Sequence, residues 1–332
     1  MTQTRTMLTK GALLLGYVSS SSARLFTVFN ACPFTIWPAM FTDLNVGTAV
    51  PNFPTGWEAA PFTSVSFPVP DNWKAGRIWG RRDCDFSITN GPTCLTGWCN
   101  GGLLCDPHSG TGVPPASVAE WTLQGDGFRD FYDVSLVDGF DLPMRITNSA
   151  DCPVAECAVD LGPICPQPIQ GPFDSTGFPV GCKSACAANL DGNPANSPNC
   201  CSGSFDTPAA CPNSDVEFYS FFKGNCPNSY AYAFDESSNT ALFTCDSNLN
   251  VDYTLTFCPS TNGTDPVPSA QSTIFSSPTV AVANTPTSAS SVTSSASVQG
   301  ALQSTTQSGG STLCPLYWLG MLSTIFMGSL LV

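Results

Sequence analysis

The sequence VAEWTLQGDGFRDFYDVSLV, residues 118–137, contains two runs in which apolar and polar side chains alternate. Alternation with a period of two is typical of a β-strand that buries one face. Five similar short runs occur elsewhere in the chain, at residues 25–29, 35–37, 65–69, 76–79 and 253–257. Proline or glycine punctuates every gap between them. Regularly spaced short strands of this kind predict an all-β fold, either a sandwich or a barrel.

Composition limits both the fold and the partner. The chain has 332 residues, with 29 prolines and 28 glycines, and both residue types disfavour the interior of a helix. Asp and Glu outnumber Lys and Arg by 25 to 11, which argues against nucleic-acid phosphates as a ligand. An acidic surface suits neutral or cationic ligands instead.

The cysteines indicate an oxidising compartment. Seventeen cysteines are far more than a cytosolic chain usually carries, because cytosolic thiols are kept reduced. Sixteen of them lie between Cys32 and Cys258, an even number that allows eight disulfides, while Cys314 stands apart. Ten of them lie from Cys152 to Cys245, where the strand pattern thins, so we expect a loop-rich lobe at about residues 159–226.

Metal binding is the alternative use of these cysteines. Cys182 and Cys186, and likewise Cys94 and Cys99, have spacings that also occur in zinc sites. A secreted chain with one histidine favours disulfides, so we expect no metal and no cofactor. That histidine, His108, is the single candidate for the base of a Ser-His-Asp triad. The sequence Pro107-His108-Ser109 is typical of a loop, which argues against that role.

Both ends of the chain predict delivery to the cell surface. Residues 1–23 have a basic start, an apolar run and a small-residue exit, and we expect a signal peptide cut after Ala23; a short buried helix is the alternative. Residues 313–332 are apolar or small and uncharged, long enough to span a bilayer. No basic residue follows them and small residues precede them, which favours a GPI signal over a retained transmembrane anchor.

Between domain and tail lies a predicted stalk, residues 261–312, rich in Ser, Thr, Pro, Ala and Val. Such a segment buries too little apolar surface to fold, and its hydroxyls suit O-glycosylation. Asn262 begins an N-glycosylation sequon at its base. We therefore expect a folded domain at 24–260 in an extracellular glycoprotein, held at the plasma membrane or cell wall.

Several longer motifs together resemble the thaumatin-like protein family. They cover essentially the whole domain, and all sixteen cysteines fall in the family's order. The motifs are FNACPFTIWPA (29–39), GRIWGRRDC (76–84), CLTGWCNGGLLC (94–105), PPASVAEWTL (114–123), YDVSLVDGFDLPM (132–144), FYSFFKGNCPNSYAYAFD (218–235) and YTLTFCP (253–259).

The resemblance implies a flattened β-sandwich with a disulfide-rich lobe, a small loop domain, and a cleft between sandwich and lobe. A GPI anchor implies a eukaryote, and we expect a fungal member. The bridges implied by the resemblance are Cys32 to Cys258, Cys84 to Cys94, Cys99 to Cys105, Cys152 to Cys245, Cys157 to Cys226, Cys165 to Cys182, Cys186 to Cys200, and Cys201 to Cys211.

The resemblance also implies the residues of the cleft. Family members carry an Arg, a Glu and three Asp there, and the matching positions are Arg77, Glu120, Asp133, Asp138 and Glu236. Glu236 stands where the family has Asp, and the adjacent Asp235 is the alternative candidate for that carboxylate of the cleft. Trp98 stands where the family motif has Asp, in the small loop domain.

Clustered carboxylates repel one another, which raises the pKa of at least one and suits glycoside hydrolysis. We expect Glu120 as the acid and Asp138 as nucleophile or base, their separation deciding the stereochemistry. Nearby aromatic residues are candidates for stacking on sugars, although alternation places at least half of them in the core: Phe128, Phe131, Tyr132 and Phe140.

The sequence-based hypothesis is a monomeric surface protein whose acidic cleft binds β-1,3-glucan or another wall polysaccharide. Weak endo-β-1,3-glucanase activity is one interpretation of the charged residues in the cleft. In the competing interpretation, the same residues form an ion-pair network that only supports the sandwich. Further alternatives are a non-catalytic glucan-binding or antifungal defence protein and a structural surface module.

Overall fold

The computed structural model of the chain describes residues 23–89, 91–263, 265 and 270–272. All of these belong to the first of two compact units, residues 1–276. The predicted signal peptide up to residue 22, nearly all of the predicted stalk, and the predicted GPI-signal tail at 313–332 lie outside the described residues. Among the described helices, none has the length and apolar character needed to cross a bilayer.

The described residues form mostly β-structure. The helical content is one α-helix, α1 (Tyr219–Asn225), and short 3-10 turns. The strands are β1 (Ala23–Asn30), β2 (Ala39–Thr42), β3 (Thr63–Pro70), β4 (Gly76–Trp79), β5 (Arg82–Cys84), β6 (Cys94–Thr96), β7 (Val118–Gly125), β8 (Arg129–Ser135), β9 (Met144–Asn148), β10 (Ala155–Cys157), β11 (Phe243–Asp246), β12 (Tyr253–Phe257) and β13 (Ala270–Ser272).

Two large sheets hold most of these strands. One has the order β10-β9-β12-β1-β3-β13, and the other has the order β11-β8-β7-β4-β2. Strand β1 pairs in parallel with β12 from the other end of the domain and antiparallel with β3. The all-β prediction is confirmed. The run at residues 35–37 is not a strand, since it forms only an isolated bridge from Ile36 to Ala59 before Pro38 interrupts the pairing.

Aromatic side chains from both sheets fill the space between them. Phe26 of β1 packs edge-on against Trp121 of β7 with ring centroids 5.2 Å apart, and Trp73 stacks on Trp121 at 6.1 Å. Tyr253 of β12 contacts the same group and is 1% exposed. Burying such large rings is the main contribution to the stability of the sandwich.

The segment between β10 and β11 forms the lobe. Its described residues contain no strand, only α1 and 3-10 turns. Disulfides replace the missing sheet as its scaffold, with Cys165–Cys182, Cys186–Cys200 and Cys201–Cys211 inside it and Cys157–Cys226 at its base.

The remaining disulfides belong to the sandwich and to the small loop domain, which runs from β5 to about residue 113 and contains the two-stranded sheet of β5 and β6. They are Cys32–Cys258, Cys84–Cys94, Cys99–Cys105 and Cys152–Cys245. The eight pairs are those that the family resemblance implies. Cys32–Cys258 closes a loop of 226 residues, and a closed loop of that length removes much of the entropy of the unfolded chain.

Candidate functional site

The candidate site lies on the outer face of the five-stranded sheet. In β7, Ala119, Trp121 and Leu123 are buried in the core, so Glu120 points to the opposite face. Glu120 pairs in register with Arg77 of β4 on one side and Asp133 of β8 on the other. The sheet therefore holds these three charged residues in one row across three strands.

Arg77 and Glu120 form the central ion pair of this row. Arg77 Nη2 lies 2.9 Å from Glu120 Oε1, and the Glu120 side chain keeps 33% of its surface exposed. Burial lowers the pKa of Arg77, but the carboxylates of Glu120, Asp138 and Asp133 outweigh it and raise the pKa above the ordinary value. Arg77 therefore stays charged and balances part of the negative charge around it.

Asp133 occupies the buried end of the row. Burial, and next the charge of Glu120, raise its pKa well above the ordinary value, against the opposing effect of Arg77. Its Oδ1 atom is buried and has no hydrogen-bond partner among the described residues. A buried carboxyl oxygen without a partner is costly, so Asp133 favours its neutral form.

Asp138 follows β8 in a turn, and two residues later Phe140 pairs with Cys182 of the lobe. Its carbonyl accepts a hydrogen bond from Ala116 N at 3.2 Å, and Gly139 N donates to Leu136 O. Gly139 has φ +89°, and a Cβ there would lie 2.6 Å from Cys182 O, so glycine is needed beside Asp138. Burial, opposed by Arg77 and reinforced by Glu120, raises the pKa of Asp138 to about 6.

Tyr230 and Glu236 complete the group from the lobe side. Tyr230 is anchored beside β8, because Tyr230 N donates to Val134 O and Tyr230 O accepts from Leu136 N, both at 2.9 Å. Burial first, and then the charges of Asp133 and Glu236, raise the pKa of the Tyr230 hydroxyl, which is hydrogen-bonded to Glu236. Glu236 is exposed. We refer to Arg77, Glu120, Asp133, Asp138, Tyr230 and Glu236 as the acidic cluster.

Asp235, expected as a substitute for Glu236, is placed differently. Its side chain has no exposed surface and pairs with Lys223 Nζ at 2.9 Å. Its oxygens also accept hydrogen bonds from the Tyr219 hydroxyl and Ala231 N, both at 3.0 Å. A carboxylate buried and fully used in this way cannot contact a ligand, so Asp235 supports the lobe rather than the cleft.

The comparisons with known proteins identify the family. A sequence model described as the Thaumatin family matches residues 30–259. This chain belongs to the thaumatin family. It is 41% identical over 238 residues to Thaumatin-like protein 1 of Pyrus pyrifolia, covering 70% of this chain and 90% of that one. It is 39% identical to Pathogenesis-related protein 5 of Arabidopsis thaliana, covering 74% and 96%.

Solved structures give a weaker match to this thaumatin-family protein. A GH family 64 laminaripentaose-producing β-1,3-glucanase from Paenibacillus barengoltzii aligns with TM-score 0.42 and 11% identity, covering 72% of this chain and 75% of that one. That level of similarity is too low to bear on a substrate. Thaumatin-like proteins include the pathogenesis-related defence proteins and are typically secreted, and the disulfide-rich fold fits an extracellular protein.

The sequence did not indicate Tyr230, whose hydroxyl group belongs to the acidic cluster. It lies in the motif NSYAYAFD, in which Tyr232 follows two residues later, and the sequence does not show which of the two tyrosines faces the cluster. In the structure Tyr232 is nearly fully buried.

The four aromatic residues that the sequence suggested for stacking on sugars fall into two groups. Tyr132 and Phe140 are core residues with no exposed surface, whereas Phe131 is half-buried and Phe128 is 76% exposed.

His108 and Trp98 lie in the small loop domain. His108 is exposed and its backbone N–H donates to Asp106, as expected of a loop histidine. Trp98 is half-buried, and its carbonyl accepts from Val113 N at 2.8 Å. In the part of the chain that the structure describes, no group of three or more His, Cys, Asp or Glu side chains, the acidic cluster included, is arranged so that it could hold a metal ion.

Proposed function

We propose that this thaumatin-family protein binds β-1,3-glucan through the acidic cluster at the cell surface or wall. The observation that carries the proposal is the row of Arg77, Glu120 and Asp133 on an outer sheet face. Carboxylates and a guanidinium in fixed positions can accept from and donate to the hydroxyls of a sugar ring. A neutral polysaccharide also meets no repulsion from a chain with net charge −14.

Hydrolysis of the glucan is the second candidate, and the electrostatics of the cluster favour it. Glycoside hydrolysis needs one protonated carboxyl and one ionised partner. Asp138, with a pKa of about 6, fits the proton donor, and Glu120, ion-paired with Arg77, fits the ionised partner. This assignment exchanges the roles that the sequence alone suggested for the two residues.

Co-sedimentation with insoluble β-1,3-glucan tests binding. We expect the wild type to sediment and Glu120→Gln, which removes one charge of the ion pair, to sediment less. Glu58→Gln is the matched control, because Glu58 is an exposed glutamate outside the cluster. Failure of the wild type to sediment with any wall polysaccharide would favour a structural surface module.

Release of reducing ends from soluble β-1,3-glucan tests hydrolysis separately. We expect release by the wild type to be lost in Asp138→Asn and in Glu120→Gln. Equal release by all three proteins would rule out catalysis by this cluster. Binding without any release in the wild type would leave a glucan-binding or defence protein that does not cut its ligand.

The tether is the remaining part of the proposal. We assign residues 1–23 to a signal peptide, 24–260 to a monomeric thaumatin-like domain, 261–312 to a stalk glycosylated at Asn262, and 313–332 to a GPI signal of a fungal surface protein. The start of this stalk pairs with the domain, because β13 (Ala270–Ser272) lies beside β3. Asn262 is exposed, as a glycosylated residue must be. Phosphatidylinositol-specific phospholipase C should release the protein from intact cells, and its retention there would favour a membrane-spanning tail.

A further inference from the structure

A second site candidate is a groove at the opposite end of the β7–β8 hairpin from the acidic cluster. It is an open groove of about 520 Å³ between the hairpin turn and the 3-10 turn Ser247–Leu249. We call it the hairpin groove. It is lined by residues 124–128 together with Ser247, Asn248 and Asn250.

One aromatic ring dominates this groove. Phe128 has 76% of its surface exposed, more than any other exposed large apolar side chain among the described residues. Its φ of 57° lies in the left-handed region, which bulky residues rarely adopt. Phe128 O accepts a hydrogen bond from Ser247 N at 2.9 Å, so the backbone is held in this conformation while the ring faces solvent. Backbone strain of this kind persists where the surrounding structure enforces it, often at ligand sites.

A buried carboxylate holds both walls of the groove together. Asp130 has no exposed surface and pairs with the buried guanidinium of Arg24. Asp130 Oδ1 accepts from Gln124 N of one wall at 3.1 Å and from Ser247 Oγ of the other wall at 2.8 Å. The groove is therefore preorganised, and a ligand would not have to pay for ordering its walls.

The lining around the ring is polar and carries little charge. The side chains of Gln124, Asn248 and Asn250 are amides and Asp126 adds one carboxylate. No Lys or Arg is among the described residues that line the groove. Gln124 and Asp126 are exposed. A flat apolar ring bordered by amides and one carboxylate matches a pyranose, which has an apolar face and a rim of hydroxyls.

We propose that the hairpin groove is a carbohydrate-binding site for a neutral sugar, with Phe128 stacking on the sugar ring. It is separate from the acidic cluster. Asp133 lies five positions after Phe128, roughly 16 Å along an extended strand, and the Phe131 ring packs against Gly125 between the two sites. The site does not depend on the function proposed for the cluster.

Isothermal titration calorimetry on the full secreted protein tests the site, with laminarihexaose, cellohexaose and mannohexaose as probes. We expect at least one probe to bind the wild type and Phe128→Ala to weaken that binding about tenfold. Phe128→Tyr keeps the ring face and should keep the affinity. Leu249→Ala is the matched control, since Leu249 is 58% exposed on the neighbouring turn but does not line the groove.

The same titrations of Glu120→Gln separate the two sites. Loss of affinity in Phe128→Ala with retention in Glu120→Gln supports the hairpin groove and counts against the cluster. The reverse pattern overturns the groove and leaves the cluster. Equal affinity of Phe128→Ala and wild type, an equal loss in Leu249→Ala, or no binding of any probe by the wild type would each overturn the proposal. Unchanged melting temperatures show that the variants remain folded.

Discussion

Arg77 Nη2 lies 2.9 Å from Glu120 Oε1, at paired positions of β4 and β7. The same guanidinium also lowers the pKa values of Asp133 and Asp138, which burial raises. One cation thus serves three carboxyl groups, and part of the acidic cluster stays protonated where isolated aspartates would be ionised. Stability of the domain and the charge of the cluster should therefore depend on pH together.

Replacing Arg77 by methionine should destabilise the domain more at pH 7 than at pH 4. The carboxylates lose their counter-charge, which we expect to cost about 1–3 kcal/mol at pH 7, while at pH 4 Asp138 is largely protonated and the loss is smaller. Denaturant unfolding at both pH values measures this. Arg77→Lys keeps the charge and should lose less, and equal losses at both pH values would contradict the prediction.

Asp138→Asn should flatten the pH dependence of stability. Asp138 binds its proton more tightly in the folded protein, with a pKa of about 6, than in the unfolded chain, where it is near 3.9. Its ionisation therefore removes stability as pH rises from about 4 to 6. Asparagine cannot ionise, so we expect the wild type to lose on the order of 2–3 kcal/mol more than the variant between pH 4 and pH 7. Unfolding midpoints across that range provide the measurement, and parallel profiles would show that Asp138 is not the group.

Arg24→Met should be among the most destabilising changes on β1. It leaves Asp130 charged, buried and without its counter-ion, which typically costs about 3–5 kcal/mol. Adding Asp130→Asn should recover part of that loss, since the uncompensated charge is removed. Arg129→Met is the matched control at an exposed arginine and should change stability by less than about 0.5 kcal/mol. Similar unfolding free energies for the two single variants would contradict the role of the buried pair.

Gly139→Ala should disturb both the fold and the position of Asp138. The added Cβ meets Cys182 O at 2.6 Å and the backbone is left-handed there, so we expect a loss of about 1–3 kcal/mol. Gly224→Ala is the matched control, because it lies in α1 with open space around it and should be neutral or stabilising. Thermal unfolding of the two variants compares them, and an unchanged Gly139→Ala protein would show that the turn can adapt.

The sequence by itself determined the strands and the faces of the outer site. Alternation in residues 118–137 predicts which side chains of β7 and β8 point inward, because successive side chains in a strand point to opposite faces. The resemblance in motifs and cysteine order then indicated Arg77, Glu120, Asp133 and Asp138 together. These properties are local or depend on order along the chain, so a sequence carries them.

Only the tertiary structure decided which carboxylates are exposed at the acidic cluster, which are buried in ion pairs, and how their pKa values shift. Asp235 and Glu236 are adjacent in sequence, yet Asp235 is buried against Lys223 while Glu236 is exposed and reaches Tyr230. The pKa of Asp138 depends on burial and on Arg77, more than sixty residues away, and the display of Phe128 depends on Ser247, more than one hundred residues away. Burial and long-range partners are set by packing, and packing is not visible in the spacing of residues along one chain.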